Sequence, residues 1–188
     1  MKIIEPNRHN NTPKLEVMGQ YDFSDSDFMT KKVNKYASLI GSFLISFSEM
    51  ESVVDIAIAE SLIDDSHEIG YNIIKNLNFF AKIELLNDLN QPMICSLMKK
   101  KEQRTKQFKK IIEELKDLAT FRNKVAHAKW HTLDKDGYIR TAIVTDKNSG
   151  LIAFKKFKIT PLNIKEKILK IKSVYQKLPD FMQDLYNG

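Results

Sequence analysis

A chain of 188 residues, 43% hydrophobic and 10% aromatic, carries enough apolar material for one sizeable core, which excludes a disordered protein. Its net charge of +6 admits an anionic partner without selecting one, because the excess is spread along the whole length. The single cysteine, Cys95, excludes an internal disulfide framework, and no Cys/His cluster has zinc spacing, so the expectation is a cytoplasmic protein with no metal and no cofactor.

Residues 1–24 are Asn-rich, contain proline, show no sustained period and have no apolar core of the kind a secretion signal needs. They read as a tail or arm ahead of a single domain, 25–188. From Ser26 or Asp27, either an N-cap, a long helix is expected to about Ile63. Met29, Val33, Tyr36, Ile40, Phe43, Phe47, Met50, Val54 and Ala57 alternate spacings of four and three, a heptad-like seam that calls for a partner along its length. Residues 39–59 are the most apolar stretch, but Glu49, Glu51 and Asp55 make it too polar to span a bilayer.

A short helix around 68–75 and a second over 78–89 follow, with Phe79, Ile83, Leu86 and Leu89 on one face and Asn90-Gln91-Pro92 as the stop. Residues 93–100 read as a further short helix, and the Lys-rich run 99–110 as the solvated first turns of the next one. That helix, 107–128, carries the apolar stripe Phe108, Ile111, Ile112, Leu115, Leu118, Ala119, Val125 and Ala126. After Trp130 the period changes. Turn sequences at 134–137 and 146–150 bracket β-branched and aromatic segments at 138–145 and 151–159, which predict a small β-meander of two strands, or of three with 129–133 as the first. Thr160-Pro161 supplies an N-cap and an N1 proline for a last helix to Leu178, which Pro179 stops.

The end of the 107–128 helix reads Arg122-Asn123-Lys124-Val125-Ala126-His127. At about 100° per residue, Arg122 falls inside the apolar stripe near Leu115. A buried charge without a partner is too costly to persist, so Arg122 requires either an acid or an anionic ligand. Glu51 is the acid expected beside it, since it shares a flanking column of the heptad with Ala37, Leu44 and Ile58 and should be half-buried. Such a pair would hold the arginine in place without precluding catalysis.

The hexapeptide resembles the Arg-Asn-x-x-x-His signature of HEPN domains, a superfamily of small helical proteins that includes many RNases; the matching residues are Arg122, Asn123 and His127. The segments 41–51 and 79–86 are similar to the earlier helices of one branch of that superfamily. The resemblance implies a mainly α, HEPN-like antiparallel helical bundle, with the β-meander inserted before the C-terminal helix. It also implies a metal-independent endoribonuclease acting on RNA as a homodimer, in the manner of toxins or phage-defence effectors, with an antitoxin or regulatory protein as a further partner and no membrane association. The alternative is a catalytically silent HEPN module that binds a nucleotide or a protein.

Cleaving RNA without a metal requires a base for the 2′-hydroxyl, an acid for the leaving 5′-oxygen and a cation on the phosphorane. Histidine suits the proton transfers and arginine the bidentate grip on phosphate. Asn123 and His127, four apart, share a helix face, so Asn123 is placed to fix the imidazole or a phosphate oxygen. Arg122 and His127 stand about 140° apart and converge on one phosphate only if the helix ends or distorts there or if two subunits contribute; the resemblance implies the latter, paired motifs facing each other across a dimer, so that one copy alone supplies half a site. Lys124, Lys129 and Trp130 form a candidate RNA-facing patch, with a core position as the competing role of Trp130. His127 as a helix-terminal residue favoured by the macrodipole is the competing role of that side chain.

Overall fold

The computed structural model describes residues 14–17, 26–62, 67–96, 101–147 and 149–186. These comprise β1 (Lys14–Val17), α1 (Ser26–Leu62), α2 (His67–Ile74), α3 (Phe79–Ser96), α4 (Lys101–His127), β2 (Tyr138–Thr145), β3 (Ile152–Lys158) and α5 (Pro161–Tyr186). The protein is mainly helical, with a small antiparallel sheet whose hairpin precedes the last helix. No described helix is long and apolar enough to cross a membrane. The chain divides into two compact units, a helical one from Ser38–Val125 and Leu162–Gly188, and one built around the sheet from Met1–Ala37 and Ala126–Pro161.

In the helical unit the seam of α1 is spent on the chain's own core. Phe43, Phe47, Met50, Val54 and Ala57 are all buried, with Phe43 meeting the edge of Phe121 from α4 at 5.2 Å and Phe47 meeting Phe79 from α3 at 4.9 Å between ring centres. Phe43, Phe47, Met50 and Val54 each contribute about 2 kcal/mol by leaving water. Over this stretch the partner that the heptad pattern demands is therefore the rest of the unit. The stripe on α4 is buried as its spacing predicts, except Ala126, which is exposed, and Phe121 joins it. The Lys-rich first turns of α4 are largely solvated.

Two prolines expected to end helices lie inside them. α3 continues through Pro92 to Ser96, and α5 through Pro179 to Tyr186. Ile94 is fully buried beyond the first proline, and Phe181, Met182 and Leu185 are buried beyond the second, Phe181 stacked on Phe108 at 5.2 Å. Burial on the far side outweighs the lost backbone hydrogen bond. Lys167 and Lys170 of α5 both reach Asp117 of α4, at 2.6 and 3.0 Å. Burial alone would raise the Asp117 carboxyl, but these two ammonium groups outweigh it and hold it below the ordinary aspartate value.

In the other unit the strand order is β1-β3-β2, antiparallel throughout. The third strand comes from the N-terminal arm, not from residues 129–133 as expected. Trp130–Thr132 form a turn of 3₁₀ helix, and only Lys129 bridges to β2, opposite Arg140. The arm strand pairs Lys14 with Lys156 and Val17 with Ala153. The turn into β2 and the hairpin turn between β2 and β3 each place a glycine at positive φ, Gly150 in the second at +69°. Asp134 Oδ1 accepts from the amides of Asp136 and Tyr138 at 3.0 and 2.9 Å, and Gly137 sits at φ +86°, where a side chain would be strained.

Candidate functional site

An open cleft of about 540 Å³ in the helical unit gathers residues from three helices. Phe47 and Glu51 come from α1, one turn apart; Asn78, Phe79 and Phe80 from the start of α3; Ala119, Arg122 and Asn123 from one face of α4. The start of α3 is fixed by its own cap, in which Asn78 Oδ1 accepts from the Ala81 amide at 3.1 Å. Phe80 stands 38% exposed in the cleft wall.

Arg122 is half-buried, as its place on the stripe dictates, but Glu51 is not its partner. Its Nη1 donates to Asn123 Oδ1 at 3.1 Å and its guanidinium lies 5.8 Å from the Phe47 ring centre. Among the described residues it has no carboxylate within ion-pairing distance. Glu51 is half-buried as expected, yet its Oε1 accepts from Lys82 at 3.1 Å. Lys82 also holds Asp55 at 2.9 Å, so a lysine only 8% exposed neutralises one of two carboxylates. Burial alone would lower its pKa; the hydrogen bonds to Asp55 and Glu51 outweigh that and leave it above the ordinary lysine value. Lys82 pre-empts the acid assigned to Arg122, and the arginine is left facing the cleft.

Asn123 thus steadies the arginine rather than the imidazole. His127 is exposed and is the last residue of α4, which is one uninterrupted helix through the hexapeptide. On such a helix Arg122 and His127 stay about 140° apart, so a single copy does not aim both at one phosphate. Lys124 is half-buried on α4. In the unit around the sheet, Lys129 is exposed with its Nζ 5.9 Å from the Phe154 ring centre, where Arg140 also stacks at 4.2 Å. Trp130 is half-buried with its ring 5.8 Å from that of Tyr36, which gives it the packing role weighed against base stacking.

Lys82, Asp55, Asn78 and Phe80 escaped the reading of the chain. The signal for the first two was present: Glu51 and Asp55 are one turn apart on the long helix, and Lys82 lies three residues from Phe79 and four from Leu86, beside an apolar stripe where a lysine needs counter-charges. No protein-family model, no curated protein and no solved structure matches the chain.

Proposed function

We propose that the protein is a metal-independent endoribonuclease of HEPN type, with Arg122 holding the scissile phosphate and His127 moving protons. The observation that carries the reading is the arginine: a half-buried guanidinium, steadied by Asn123 and lacking a carboxylate partner among the described residues, lines a cleft open to solvent. A cation so held is pre-organised for an oxyanion. In the reaction, the partner subunit's His127 accepts the 2′-hydroxyl proton as the 2′-oxygen attacks the phosphorus that Arg122 holds. The P–O5′ bond then breaks, the partner subunit's His127 protonates the departing oxygen, and a 2′,3′-cyclic phosphate remains.

The test is incubation of the purified protein with mixed RNAs in EDTA. Cleavage is expected, with Arg122→Ala and His127→Ala each slowing it on the order of 10²-fold or more while retaining the fold. Full activity in either variant, or strict dependence on a divalent cation, sinks the assignment. The regularity of α4 favours a second reading, in which the cleft binds a nucleotide without cutting it; RNA binding that needs Arg122, with no cleavage, would establish it.

A further inference from the structure

We infer that the Arg122 cleft is a guanine nucleotide subsite, in which Glu51 accepts from the base edge, Phe79 and Phe80 flank the base, and Arg122 takes the phosphate. The inference rests on the nucleotide-binding part of the reading above and is independent of whether cleavage follows.

Its warrant is the inventory of hydrogen-bonding groups in the cleft wall. Asn78 uses its Oδ1 on the Ala81 amide, and Asn123 uses its Oδ1 on Arg122, so both side chains have their Nδ2 hydrogens left to give. Arg122 adds further N–H groups and accepts nothing. Against these donors the side chains of the lining residues hold a single carboxylate, Glu51, and Lys82 engages only its Oε1. Lys82, itself anchored on Asp55, holds that carboxylate in place.

A ligand that satisfies this wall fully presents two neighbouring N–H donors to the carboxylate, one to the unengaged Oε2 and one to the second lone pair of Oε1, and acceptors elsewhere. Guanine does so, with N1–H and the N2 amino group on one edge and O6 and N7 on the others. Adenine and cytosine offer only an amino group there, and uracil a single N–H between two carbonyls. The aromatic side chains supply faces on which a planar base stacks, Phe80 being substantially exposed. A cleft of about 540 Å³ lies within the range that accommodates a nucleotide.

Titration calorimetry of the full chain with guanosine, adenosine, cytidine and uridine 5′-monophosphates tests this. The guanine nucleotide is expected to bind roughly tenfold or more tightly than the others. Glu51→Gln, with its fold checked by thermal unfolding, should abolish that preference, because an amide replaces one acceptor by a donor. Phe80→Ala, an exposed substitution that leaves the core intact, should weaken the guanine nucleotide by roughly tenfold. Arg122→Ala should weaken guanosine 5′-monophosphate but not guanosine. Equal affinity for the four nucleotides, binding of none, or a guanine preference that survives Glu51→Gln overturns the subsite. Loss of RNA cleavage with guanine preference intact overturns only the nuclease.

Discussion

The Lys82 ammonium sits at the meeting of two carboxylates, 3.1 Å from Glu51 and 2.9 Å from Asp55, and its removal leaves both acids without their cation. Lys82→Met is expected to cost about 3 kcal/mol in denaturant unfolding, whereas Glu51→Gln, which leaves Asp55 in place, should cost about 1 kcal/mol. A Lys82→Met variant as stable as the wild type would show that the cluster does not hold the fold. The pH dependence has a definite sign: the folded-state pKa of Lys82 lies above the ordinary lysine value, so its stabilisation is complete below that value. It is lost as pH rises through the folded value, and Lys82→Met should lack that alkaline component. The sequence placed Arg122 inside the apolar stripe, where it is only half-buried, and Glu51 half-buried, as it is. It could not pair them, because which of two cations reaches an acid depends on how α3 lies against α1, and that is set by the whole core.

Helix packing brings α2 onto α1 through Gly70. A Cβ built there would lie 2.7 Å from the Ala59 Cα and 2.8 Å from its Cβ, and backbone cannot yield as a flexible side chain can. Gly70→Ala is therefore expected to destabilise by about 1–2 kcal/mol, the steric cost of overpacking less the gain in helix propensity. A thermal transition unchanged by circular dichroism would mean that α2 shifts at no cost. Elements with strong internal periodicity were legible: α1 ends within a residue of its expected limit, and β2 occupies 138–145 as read. Pro92 and Pro179 misled because the local rule for proline is weaker than the burial of Ile94, Phe181, Met182 and Leu185 beyond them. β1 was illegible, since four residues in an Asn-rich arm become a strand only through pairing with β3.

For the whole molecule, the buried seam of α1 weakens one argument for a dimer and leaves the other standing. A motif whose arginine and histidine are about 140° apart on one helix requires a second copy to complete a cleavage site. Light scattering at micromolar concentration is expected to give twice the chain mass. A single-chain mass would withdraw the two-subunit mechanism while leaving nucleotide binding in the cleft untouched.

The central strand of the sheet is the last to be synthesised, while one of its neighbours, β1, is the first, with most of the chain between them. Closing so long a loop carries an entropic cost that the few hydrogen bonds of a four-residue strand offset only once β2 and β3 have formed their hairpin. Until then one side of β3 is an open row of amides and carbonyls, of the kind that recruits strands from other molecules. Lys155, Lys156 and Lys158 place positive charge along that strand, so two nascent hairpins repel one another where their backbones would otherwise join. Part of the basic excess of this chain thus serves as a guard on an unfinished edge, and its task ends when the arm comes home.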